Sequence, residues 1–146
     1  VGLDEGFEVN PLTELEPYVL LANGHPLANQ TSLSLADLAD EPMVLLDVPP
    51  SPPFVLRMME SIGAEPHIAY RAQSFEMVRG LVGRGLGYAV LATKPASSVT
   101  YDGRALVTRP LEDKVPAPTI VLVHRAGEAL TPDAKAFIEA CKTFTR

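Results

Sequence analysis

Fourteen prolines and ten glycines cut this 146-residue chain into short units, and the units alternate between strand-like and helix-like hydrophobic periods. Phe7 to Val9 and Tyr18 to Ala22 have strand character, the second nearly continuous and so suited to burial on both faces. Asn23-Gly24-His25-Pro26 makes a turn. Ser34 can cap a short helix carrying Leu35 and Leu38 on one face, with Asp37 three residues on and Pro42 as its stop. Met43 to Asp47 is the next strand, followed by Val48-Pro49-Pro50-Ser51-Pro52-Pro53. There Ser51 is a good N-cap, and the prolines after it are tolerated in a first helical turn. Val55, Met58, Met59 and Ile62 form the apolar face of that helix, and Gly63 ends it.

The same grammar continues. Strand His67 to Ala72 leads to a helix capped by Ser74, with Met77, Val78, Leu81 and Val82 as its buried face and Gly83, Gly85 and Gly87 at its end. Tyr88 to Ala92, Ala105 to Thr108 and Thr119 to His124 are the remaining strands. Thr131, Pro132 and Asp133 open a closing helix whose inner face is Phe137, Cys141 and Phe144. This order predicts the α/β class with a mostly parallel sheet. Ligands of such sheets settle at the carboxyl ends of strands, against helix N-termini. Two loops meet that description, Asp47 to Phe54 and Ala72 to Glu76. Ser51 and Ser74 each stand there at a helix start, where free N–H groups and the positive dipole end favour an anion. The competing reading makes both serines ordinary N-caps that bond only to their own helices.

Several function classes are excluded. The net charge is −6 and the twelve Lys and Arg are scattered, so no basic face exists to replace the counterions of a nucleic acid. The single cysteine cannot form an internal disulfide or build a zinc site, and it suits the reducing cytoplasm. No charged-then-apolar leader is expected in this stretch, and runs such as Met43 to Leu46 fall far short of the roughly 20 residues that span a membrane. His25, His67 and His124 are not spaced as metal ligands, so no metal site is expected. No nucleophile, base and orienting group assemble at a plausible spacing, so no catalytic residue, cofactor or enzymatic activity is expected. Gly80, Gly83, Gly85 and Gly87 end a helix and open a strand, the reverse of a dinucleotide fingerprint. Cys141 is read as a buried inert thiol, and Asp37, Asp40 and Glu41 as a solvated helix end. Arg71 and Arg79 are read as surface charges, with a reach toward an anionic ligand as the alternative, and Met58-Met59 as core or subunit contact.

Three segments carry a family resemblance: His25-Pro26-Leu27-Ala28 with Ser32 to Pro42, Ser74 to Tyr88 with its Gly85-Leu86-Gly87, and the helix after Leu130-Thr131-Pro132. In this order the chain resembles the effector-binding domain of LysR-type transcriptional regulators. The resemblance implies a type II periplasmic-binding-protein-like fold, two α/β subdomains joined by crossover strands, with a small-molecule effector in the cleft between them. It assigns residues 1–21 to a remnant of subdomain I, 22–118 to subdomain II, and 119–146 to the return crossover strand and C-terminal helix of subdomain I. Subdomain I is then incomplete, and the winged helix-turn-helix and linker helix lie outside this stretch. Such remnants are expected to expose an unpaired sheet edge and an apolar face.

By the same resemblance, Ser51, Ser74, Val48, Pro49, Phe54, Gln73 and Phe75 line the ligand site. The helix Pro52 to Ile62 belongs to a homodimer or tetramer contact. DNA is reached only through the absent N-terminal domain, no membrane is involved, and the effector changes oligomer geometry on DNA. A periplasmic-type solute-binding protein on the same fold is the runner-up. The His25-Pro26-Leu27-Ala28 and Gly85-Leu86-Gly87 segments favour the regulator.

Overall fold

In a computed structural model describing residues 5–144, the elements follow the predicted alternation. They are β1 (Phe7–Glu14), β2 (Tyr18–Ala22), α1 (Leu35–Leu38), β3 (Pro42–Leu46), α2 (Ser51–Glu60), β4 (His67–Ala72), α3 (Phe75–Gly83), β5 (Ala89–Leu91), β6 (Leu106–Pro110), β7 (Thr119–Arg125) and α4 (Pro132–Phe144). The chain separates into two units, Pro17–Pro116 and the remainder up to Glu16 and from Ala117 onward. The larger unit therefore starts five residues before the expected 22–118, because β2 is hydrogen-bonded on both sides within it, and it stops two residues short, at Pro116.

In the larger unit β2 lies between β5 and β6 and is antiparallel to both. β3 and β4 pair in parallel, and a parallel bridge between Met43 and Tyr88 ties β3 to the start of β5. Across the unit the order is β4-β3-β5-β2-β6, with β2 alone running against the rest. The expectation of a mostly parallel sheet holds for four strands, and β2, between β5 and β6, is the exception. A continuous apolar run reports burial on both faces, and it carries no information about direction.

Alternation along β2 divides the interior in two. Val19 and Leu21 join Met43, Leu45, Tyr88 and Val90 beneath α1 and α2, where Leu35, Leu38, Val55, Met58 and Met59 close the layer. Tyr18 and Leu20 join Val44, Ala72, Ala89, Leu91 and Leu106 beneath Val78 and Val82 of α3. Each fully buried aliphatic side chain is worth about 1.5–3 kcal/mol, so a strand filled on both faces anchors the unit. Two predicted core positions fall outside it. Ile62 lies beyond the end of α2 and is 38% exposed, and Met77 is 58% exposed on α3 while Arg79 is buried instead. The inward stripe of α3 is Val78, Arg79 and Val82, about one residue round from the predicted face.

The family segments have local work to do. His25 caps a 3-10 turn over Pro26–Asn29: its Nδ1 accepts from the Leu27 N–H at 3.1 Å, and its Nε2 lies 3.4 Å from Glu41 Oε2. Arg109 donates to the carbonyls of Ala28 and Gln30, both at 2.6 Å, and pins that turn. Ser34 and Asp37 form the reciprocal capping box of α1. Tyr88 is fully buried; its hydroxyl has no hydrogen-bond partner among the described residues, and burial, then the Glu41 carboxylate, pushes its ionisation upward.

In the smaller unit β1 and β7 make an antiparallel ribbon, from Phe7 opposite Arg125 to Glu14 opposite Thr119, with an irregularity between Pro11 and Thr13. Thr131 caps α4 through the Ala134 N–H at 3.2 Å. The predicted inner face of α4 is corrected: Ile138 is the buried residue, Cys141 is half-buried, and Phe137 and Phe144 are 64% and 91% exposed. A two-stranded ribbon offers too little surface to cover a 13-residue helix. Phe7, Val9, Ile120 and Val123 are exposed as well, so this unit carries exposed apolar surface.

Candidate functional site

The parallel pairing of β3 and β4 brings their carboxyl ends together, Leu46 opposite Ala72. The two predicted loops leave from these ends side by side. Asp47 N–H donates to the Ala72 carbonyl at 2.8 Å, and Arg71 Nη1 lies 3.5 Å from Asp47 Oδ1. Arg71 is thus an exposed surface charge whose partner is Asp47.

Ser51 does not cap α2. It is the first residue of the helix, Pro50 occupies the cap, and no side chain bonds to the helix start. The usual free donors are also missing there. Ser51 N–H goes to the Val48 carbonyl at 2.9 Å, Pro52 and Pro53 have no N–H, and Phe54 N–H reaches Pro50 at 3.4 Å. What remains is the half-buried Ser51 hydroxyl, which has no partner among the described residues. Val48 and Pro49 are exposed beside it, and Phe54 packs on the α2-side core with part of its ring outside.

The start of α3 differs. Ser74 caps as predicted, its Oγ accepting from the Met77 N–H at 3.4 Å, and Val78 N–H goes to the Ser74 carbonyl at 3.0 Å. Phe75 and Glu76 N–H carry no hydrogen bond among the described residues, so two backbone donors point out of a nine-residue helix at its positive end. Gln73 and Ser74 are exposed, and Phe75 is half-buried against the α3-side core.

Arg79 is corrected from a surface charge to a buried one, 5% exposed. Its guanidinium donates to Glu76 Oε1 at 2.6 Å and to the carbonyls of Ser97 and Val99 at 2.6 and 3.2 Å. This draws the Glu76 carboxylate toward Arg79. The i, i+3 spacing of Glu76 and Arg79 was the signal for it in the sequence. Among the described residues no group of three or more His, Cys, Asp or Glu side chains is placed to hold a metal ion. No helix among them is long and apolar enough to cross a membrane.

The family model described as the LysR substrate binding domain matches residues 1–146. An uncharacterized HTH-type transcriptional regulator of Bacillus subtilis, YvbU, is 30% identical over 148 residues, covering 96% of this chain and 50% of its own length. HinK, a LysR family transcriptional regulator from Pseudomonas aeruginosa, has a solved structure that superposes with a TM-score of 0.94 at 38% identity, covering 99% of this chain and 50% of that one. The C-terminal domain of a probable LysR family regulator from Rhodococcus sp. RHA1 superposes with a TM-score of 0.90, also at 38% identity, over 97% of this chain and 70% of that one. This chain spans about half the length of the first two proteins.

Proposed function

This chain belongs to the LysR substrate-binding domain family, and from that membership we propose that it is the effector-sensing part of a LysR-type transcriptional regulator. It works by binding and not by turnover. The effector is a small anion with an apolar body. Its charged group sits at the start of α3, on Ser74 Oγ, Gln73 and the Phe75 and Glu76 N–H groups, and the Ser51 hydroxyl reaches it from the neighbouring loop. Val48, Pro49, Phe54 and Phe75 line its apolar part.

The observation that carries this reading is the pair of adjacent parallel strands, β3 and β4, which deliver unspent donors and half-exposed aromatic rings to one place. Effector binding biases the geometry of a homodimer or tetramer in the cytoplasm, and with it transcription. Contact with DNA is made by other parts of the regulator, in keeping with the acidic balance of this chain. Its relatives are named as regulators, which favours this role over solute capture in the periplasm.

A thermal-shift screen of the full-length protein against small carboxylates, aromatic acids and amino acids tests the assignment. A ligand at about 100 times its Kd should add roughly 2.7 kcal/mol of stability. Ser51→Ala and Ser74→Ala should each weaken it about tenfold, as expected for a lost hydrogen bond to a charged group. A hit indifferent to both substitutions would move the site elsewhere, and a complete absence of hits would defeat the sensor reading.

A further inference from the structure

A second concavity lies wholly within the larger unit, on the α3 side of β2 and β6. It encloses about 220 Å³ between Leu20, Leu106 and Thr108, the Arg79 head, and the loop 94–98. Leu20 and Leu106 are 3% and 5% exposed, so the floor is apolar. Thr108, Ser97 and Ser98 are among its lining residues, with the Ser97 hydroxyl bonded to the Val99 backbone. Its walls are fixed in advance. The buried Arg79 holds the backbone of Ser97 and Val99, and Tyr18 donates its hydroxyl to the Thr93 carbonyl at 2.7 Å. Walls ordered before a ligand arrives reduce the entropy cost of binding.

The charges around this pocket are unequal. Arg79 is balanced by Glu76 at 2.6 Å. Lys94 makes no ion pair among the described residues, and its ammonium stands 5.9 Å from the centroid of the Tyr18 ring. One uncompensated cation over an apolar floor matches one negative charge on an apolar body. A dianion would leave a charge unpaired beside the Glu76 carboxylate. The volume is below the roughly 300–1,000 Å³ typical of sites for drug-sized ligands, so the occupant is small. We infer that this pocket binds a small monocarboxylate, its carboxylate on Lys94 and the surrounding hydroxyls and its apolar body on Leu20 and Leu106. The inference is independent of the role given above to the loops before α2 and α3.

Titration calorimetry of the full-length protein with benzoate and butyrate tests it. At least one acid should give a saturable signal that Lys94→Gln weakens about tenfold or more, the loss of one charge-assisted contact. Benzamide, neutral and of the same shape as benzoate, should bind at least about tenfold more weakly than benzoate. Thr108→Leu, which fills the space beside Leu106, should abolish binding with Lys94 intact, whereas Ser74→Ala should leave it unchanged. Lys94 is exposed, so its substitution should not alter the fold. An affinity insensitive to Lys94→Gln, or one lost on Ser74→Ala alone, would put the carboxylate at α3 and overturn this pocket while sparing the effector reading. No saturable signal with either acid up to about 10 mM would overturn it too.

Discussion

Replacing Gly87 with alanine should pull the larger unit apart between β3 and β5. A Cβ on Gly87 would stand 2.5 Å from the Pro42 carbonyl oxygen, 3.0 Å from its carbon and 3.3 Å from Val44 Cγ2. Relief requires a separation of roughly 1 Å to reach ordinary van der Waals contact. The same atoms form the bridge that joins the two strands: Tyr88 N–H donates to Pro42 O at 2.9 Å, and Val44 N–H donates to Tyr88 O at 2.7 Å. Tyr88 and Val44 are 0% and 1% exposed, so groups freed there find little water. Leaving a buried donor or acceptor unpaired costs about 1–3 kcal/mol, and with partial relaxation the pair should cost about 3 kcal/mol. For a unit of this size that lowers Tm by on the order of 10 °C or more. Urea unfolding followed by circular dichroism, at unchanged m-value, measures it. Gly80→Ala is the control. Its Cβ meets nothing within 4 Å on α3, so it should stabilise by about 0.5–1 kcal/mol. If Gly87→Ala stayed within about 0.5 kcal/mol of the parent protein, the bridge could not be holding β3 in place.

Two further outcomes follow from the charged groups. Arg79→Ala strands the Glu76 carboxylate and two carbonyls and should cost about 3 kcal/mol, with Arg79→Lys recovering only part because an ammonium cannot span three acceptors in a plane; urea midpoints equal to the parent would show the head to be solvated. The Ser34 N–H, then the Ser34 hydroxyl, hold the Asp37 carboxyl below its ordinary range. Its contribution is therefore present above the unfolded pKa near 3.9 and lost as pH falls through the lower folded value, so Asp37→Asn should flatten the acid limb of a Tm profile below about pH 4. An unaltered slope there would mean the capping box does not persist in solution.

Much of the fold is legible in the sequence for a physical reason. Tyr18–Ala22 and His67–Ala72 are strands with the predicted ends because Pro17 and Asn23-Gly24 bound the first and Pro66 and the Ser74 cap bound the second. Phe7–Val9 extends to Glu14 because β7, far along the chain, pairs with a stretch whose own composition is unremarkable. Strand direction was hidden, since apolar runs look alike in either sense. So was the face that α4 presents, because that depends on how much surface lies beside it. The two loops of the candidate site follow from strand–helix order, but their hydrogen-bond donors do not. Whether Ser51 N–H is free turns on Val48 accepting it, which only the folded loop decides.

That difference between the loops governs how Ser51→Ala and Ser74→Ala must be read. Both serines open a helix and look equivalent in sequence. At α2 the prolines remove two donors and local bonds consume the others, so an anion there meets a helix dipole but no backbone N–H. At α3 the cap consumes one N–H and leaves Phe75 and Glu76 available, and for this reason the proposed site puts the ligand's charge toward α3 and its apolar body toward Val48, Pro49 and Phe54. Ser74→Ala therefore has two effects. It removes the cap, lowering stability by about 1 kcal/mol without any ligand, and it removes a hydroxyl from the site. Ser51→Ala removes no cap bond, so the unliganded Tm should stay within about 0.5 kcal/mol equivalent of the parent. Only the ligand-induced increment compares the two fairly. A Ser51→Ala protein that loses stability without ligand, yet keeps the full increment, would mean that its hydroxyl serves the fold and not the effector.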